Sequence, residues 1–122
     1  MSNEVMEMDE KLEEIVFSIV GFAGECRGLA FEALALSENG KIMEAEAMLK
    51  DAEKALHQAH YVQTDLIQKE AAGEKMPISM VFVHAPDHLM TAISEKELIK
   101  KLVKTNAKLD ELTKRLERLE QK

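Results

Sequence analysis

Ser37-Glu38-Asn39-Gly40 decides how this chain is read. Asn and Gly tolerate the left-handed backbone that closes a helix, and on both sides of them apolar residues recur at three- and four-residue steps. Upstream, Leu12, Ile15, Val16, Ile19 and Val20 share one face, followed by Phe22, Ala23, Leu29, Ala30 and Ala33. Downstream, Ile42, Ala45, Met48, Leu49, Ala52, Ala55, Leu56, Ala59, Val62, Leu66 and Ile67 make a wide stripe with many small residues, as a packed bundle requires. A second break, Gly73-Glu74-Lys75-Met76-Pro77, follows, and Pro77 cannot continue an incoming helix. The pattern predicts three helices: about Asp9 to Leu36, Lys41 to Ala72, and a third after Pro77 to the C-terminus. Gly21, Gly24 and Gly28 each weaken the first helix by roughly 1 kcal/mol against Ala, which suggests that a neighbouring helix approaches closely there.

Composition agrees with an all-α fold. The 122 residues include no Trp, two Pro and five Gly, and aromatics reach only 4%. The abundant Ala, Leu, Glu, Lys and Met are helix formers, and a chain this short makes one domain. The formal charge is -7, divided between a body (1–94) with 17 acids and 7 bases and a tail (95–122) with 6 acids and 9 bases. That balance argues against nucleic-acid binding, which depends on Lys and Arg neutralising phosphates. The single Cys26 excludes an internal disulfide and is read as a small buried hydrophobe. The eight Met are read as core filler, and Glu4 to Glu14 as a solvated helix face. With neither a signal segment nor a membrane-length apolar run, the expected location is the cytoplasm.

The third helix ends in a heptad seam. Leu98, Leu102, Thr105, Leu109, Leu112, Leu116 and Leu119 alternate four- and three-residue steps, with Lys and Glu on the flanks. Such a seam needs a partner strand. A helix of about 37 residues would span ~55 Å, too long for two other helices of one small chain to cover. Self-association is the expectation, with an elongated hairpin and frayed tail as the alternative.

The chemistry concentrates in Met80-Val81-Phe82-Val83-His84-Ala85-Pro86-Asp87-His88-Leu89-Met90. His84 and His88, four apart, share a helical face. Asp87 falls on a mostly apolar row with Met80, Val83, Met90 and Ser94, where a carboxylate is costly to bury unless paired, protonated or metal-bound. Pro86 is tolerated at the first helical position, so the third helix is expected to start near Ala85, with His84 at its N-terminus. Free N–H groups there favour an anion such as a phosphoryl group. A metalloprotease helix would need Glu where Ala85 stands, a zinc site lacks ligands, and no Gly-rich phosphate loop exists. A Ser/His/Asp triad lacks its strand–turn–helix context. His57 and His60, three apart in the second helix, read as ordinary surface or packed histidines that could lie near the His84 segment.

Further stretches carry a resemblance. Gly24-Glu25-Cys26-Arg27 with Ala33-Leu34 comes first, then Glu44-Ala45, Ala52-Glu53-Lys54-Ala55-Leu56, and Ala59-His60 with Gln63-Thr64 and Leu66-Ile67. Val83-His84-Ala85 and Asp87-His88-Leu89-Met90-Thr91 complete the pattern. Over about residues 9 to 105 the chain resembles the IIA component of the lactose/cellobiose class of the bacterial sugar phosphotransferase system. The resemblance implies an antiparallel up-down three-helix subunit that assembles as a parallel homotrimer, a nine-helix bundle. It implies a phosphoryl carrier for uptake of a β-disaccharide of the cellobiose, lactose or chitobiose type. The group is accepted from the phosphocarrier HPr on Nε2 of His84 and passed to a cysteine of the IIB component, beside the membrane IIC component. Asp87 corresponds to the buried aspartate that meets its counterparts from two other subunits and shares a divalent cation, magnesium being the expectation. His88 corresponds to the adjacent, supporting histidine. His84 should then be partly exposed and Asp87 not.

Two features depart from that family. Pro86 stands where a polar residue, often Gln, is usual, and it removes a backbone donor beside His84. Residues 106–122 continue the leucine heptads as an extension of the third helix. Two other readings stay open: a helical coiled-coil scaffold without chemistry, and a histidine phosphotransfer module of two-component signalling, which usually has Lys where Asp87 stands.

Overall fold

The first helix closes on a hydrogen-bonded glycine turn. Gly40 has φ 77°, Lys41 N–H donates to the Leu36 carbonyl at 2.9 Å, and Gly40 N–H to that of Ser37 at 3.2 Å. These are the two bonds of a Schellman motif, and they use carbonyls that the helix leaves without partners. The computed structural model describes residues 3–73 and 80–121, with side chains over 10–73 and 85–121. Its elements are α1 (Asn3–Glu38), α2 (Ile42–Ala71) and α3 (Met80–Glu120), and no strand occurs among the described residues. The second break comes at Gly73, φ 99°, whose N–H donates to the Glu70 carbonyl at 3.1 Å. Pro77 lies outside the described residues.

The boundaries of α2 fall within one residue of expectation, while the starts of the other two helices are corrected. α1 begins ahead of Asp9, since no Gly or Pro stands between Asn3 and Asp9 to stop it. α3 begins at Met80, five residues before Ala85, and Pro86 lies inside it. Pro86 lacks a single N–H and forfeits one bond, to the carbonyl of Phe82, while the ladder continues on both sides.

The core follows one heptad row of α1: Leu12, Val16, Ile19, Ala23, Cys26, Ala30 and Ala33, all buried. α2 contributes Ala45, Ala52, Ala55, Leu56, Ala59 and Leu66, and α3 contributes Ala85, Leu89, Ala92, Ile99 and Val103. Ala fills nine of these eighteen positions, so the helices can approach closely. α1 is the middle element, packing extensively on both others. Contacts Arg27 to Glu95 and Ser37 to Asn106 make α1 and α3 parallel, and Glu53 to Lys96 fits an antiparallel α2. The up-down-up arrangement is the one expected.

Two sequence readings fail inside the chain. A Cβ at Gly21, Gly24 or Gly28 would meet nothing within 4 Å, so no helix of this chain rests on them. They lie on the outer row of α1 between the exposed Phe17 and Phe31. Met43 and Met90 are exposed, so methionine as core filler holds only in part, for the half-buried Met48. Cys26 is fully buried, as expected.

α3 clamps the α1–α2 turn at Asn106 and Asp110. Asn106 Nδ2 donates to Ser37 Oγ at 2.9 Å, and the Ser37 hydroxyl donates to the Leu34 carbonyl at 2.7 Å. A Cβ on Gly40 would lie 2.9 Å from Asp110 Oδ1. Gly40→Ala therefore meets both a left-handed φ and a crowded carboxylate. It should lower unfolding free energy by about 1–2 kcal/mol, read as a lower urea midpoint; an unchanged midpoint would contradict this account of the turn.

Candidate functional site

α3 is anchored by a buried row at four- and three-residue steps: Ala85, Leu89, Ala92, Lys96, Ile99 and Val103. At about 100° per residue, every other position of the helix is fixed relative to that row. His88 is half-buried on one flank, and His84 falls by register on the same flank one turn earlier. The side chain of His84 is outside the described ones. Asp87 lies opposite the buried row and is exposed, together with Met90, Thr91, Ser94 and Leu98. Burial of Asp87 therefore does not occur within one chain, because neither α1 nor α2 covers that side of α3.

The corrected start of α3 changes the chemistry near His84. The described helix already runs from Met80, so the N–H of His84 falls inside the helical ladder, four residues after the Met80 carbonyl, rather than at a free helix start. Pro86 adds a carbonyl, that of Phe82, without its helical donor.

Two charged contacts fix α3 to its neighbours beyond the histidines, and sequence reading did not single them out. Arg27 on α1 grips Glu95 with a fork: Nε donates to Oε2 at 2.6 Å and Nη2 to Oε1 at 3.1 Å. The hydrogen bond and charge of Glu95 raise the Arg27 pKa further above its usual range. Lys96 occupies a core position, only 5% exposed, and donates to Glu97 Oε1 at 2.6 Å and to Glu53 Oε1 on α2 at 3.4 Å. Burial alone would lower its pKa, but the bond to Glu97 and the charges of Glu97 and Glu53 hold it above the usual lysine value. The same bond lowers the Glu97 pKa. A signal for Lys96 existed: it falls at four residues after Ala92 and three before Ile99, a cation in an apolar row. Burial raises the Cys26 thiol pKa despite nearby Lys96, so it stays protonated and a poor nucleophile.

His57 and His60 are exposed on α2, lining an open depression with Phe22 and Tyr61. Among the described residues, no three His, Cys, Asp or Glu side chains converge on a metal position. No helix among them is long and apolar enough to cross a membrane.

Pro86→Ala restores the N–H donor to Phe82 and should raise unfolding free energy by about 1–3 kcal/mol. Urea titration checks this, and a lower or unchanged midpoint would show that the proline is accommodated without loss.

A family model for the lactose/cellobiose-specific IIA subunit of the phosphotransferase system matches residues 14–107. The lichenan-specific phosphotransferase enzyme IIA component of Bacillus subtilis is 40% identical over 104 residues, covering 85% of this chain and 94% of that protein. The crystal structure of a cellobiose-specific enzyme IIA from Bacillus anthracis superimposes with TM-score 0.77 at 43% identity, covering 80% of this chain and 90% of that one. The IIA(chitobiose) chain in solution structures of its complex with HPr from Escherichia coli gives 0.70 at 40% identity, covering 80% and 95%. Residues 108–122 lie beyond the family match.

Proposed function

The chain belongs to the lactose/cellobiose-specific IIA family of the phosphotransferase system, and from that premise we propose that it carries a phosphoryl group on His84 during uptake of a β-disaccharide. The observation that carries this reading is the register of α3: His84 and His88 share one flank, one turn apart, and Asp87 stands on the free face beside them. The donor is the phosphorylated form of HPr, the protein seen with a IIA relative. The acceptor is a cysteine of the IIB component, working with membrane-embedded IIC on the cytoplasmic side.

The chemistry asks little of the protein beyond placement. A neutral imidazole, with ordinary pKa near 6.5, offers a lone pair at neutral pH. Nε2 of His84 attacks phosphorus in line; the new N–P bond forms as the N–P bond to the histidine of HPr breaks, and that nitrogen keeps the electron pair. In the second step, the sulfur of the IIB cysteine displaces His84 in the same way. Phosphoryl transfer relies mainly on positioning and charge stabilisation. His88 supports His84 from the next turn.

In this reading three copies pack in parallel around their α3 helices, burying the face that a single chain leaves open. Three Asp87 carboxylates then meet and repel one another. One hard oxygen ligand from each copy suits a divalent cation such as magnesium, which offsets that repulsion. Asp87 would hold the ion, and it takes no part in the transfer itself.

Incubation with phosphoenolpyruvate, enzyme I and HPr tests the proposal. An acid-labile mass increase of one phosphoryl group is expected, absent from His84→Ala and formed roughly 10²-fold more slowly in His88→Ala, the scale of a lost positioning group. Equal labelling of His84→Ala would overturn the assignment, and no labelling of the intact chain would return it to the scaffold reading.

A further inference from the structure

We propose that residues 108–121 are a self-association segment that pairs in parallel with the same segment of further copies of this chain. The segment is helical to Glu120, yet from Glu111 onward every described residue is exposed, beyond the reach of α1 and α2. Leu109, Leu112, Leu116 and Leu119 stand 55–66% exposed at steps of three and four. All four lie beyond the family match, which ends at residue 107. A frayed end does not account for them, since it has no reason to keep leucine at successive seam positions.

Charge selects both the occupant and its direction. With Leu109 and Leu116 at a, and Leu112 and Leu119 at d, the g positions are Lys101, Lys108, Arg115 and Lys122, all basic. The e positions are Asn106, Thr113 and Glu120. In a parallel pair, g of one helix meets the following e of the other, bringing Arg115 to Glu120. In an antiparallel pair g meets g, setting base against base. Arg115 now bonds Glu111 one turn away at 2.8 Å, an exposed contact of i,i+4 type that exchanges easily. The seam also continues the open face of the body: on a straight helix Leu98 and Leu109, eleven residues apart, differ in direction by only about 20°. A partner copy on the tail therefore meets the same face as one on the body. Pairing of the tails is independent of phosphoryl transfer at His84.

Single-cysteine cross-linking of the full chain tests it, because buried Cys26 with its raised pKa stays silent. A d residue meets its own counterpart only in a parallel, in-register coil, so Leu119→Cys should form disulfide-linked chains under mild oxidant. It should do so at least ten-fold faster than Lys114→Cys, which faces away from the seam. Equal rates, or no cross-link at Leu119→Cys, would overturn the proposal. A chain ending at Ala107 should dissociate at concentrations at least ten-fold higher than the full chain in dilution sedimentation, and an unchanged midpoint would also overturn it. Phosphoryl acceptance is measured separately on the full chain, so failure of the carrier reading shows there and not in the cross-link.

Discussion

The structure depends on a mismatch of helix lengths. α3 runs for 41 residues, about 60 Å, whereas α2 runs for 30, about 45 Å. α1 fills the middle and satisfies one side of each neighbour, so the opposite side of α3 has no cover within the chain. Leu98 and Leu102 are therefore exposed in the body, and four more leucines in the tail. An apolar face of that length is more than scattered surface leucines, which are normal and need no partner. Asp87 lies on the same side of α3, eleven residues ahead of Leu98 and opposite the buried row that ends at Val103.

That position reconciles two statements about Asp87 that otherwise conflict. Read along the sequence, it lies on an apolar row, and apolar rows are usually buried. In the chain it is exposed because the row is the outer one. The costly carboxylate and the unsatisfied leucines belong to one surface, and any partner that covers the leucines must also deal with the charge. Polar groups at such a seam are known to fix register and copy number. His84 and His88, on the flank between the open and buried faces, stand beside that boundary.

Much of the fold was legible because helices advertise their period. The α1 core row, the stripe of α2 and the Gly40 turn follow from residue spacing and from the conformational freedom of glycine. The misreadings share a cause: a sequence shows which residues share a face without showing what lies against it. Gly21, Gly24 and Gly28 share a face that no helix of this chain touches. Pro86 was assigned to a helix start because proline favours that place, but the helix accepted the loss of one bond and began earlier. Lys96 stands in a charged run, Glu95-Lys96-Glu97, although its spacing puts it in the core, where Glu53 and Glu97 hold it charged. Contacts such as Arg27 to Glu95, 68 residues apart, leave no local trace.

The central claim is that the open face of α3 is a face between copies of the chain. Sedimentation equilibrium of the intact protein at tens of micromolar tests it most directly. The account predicts a single species with the mass of three chains, and a species with the mass of one chain would contradict it.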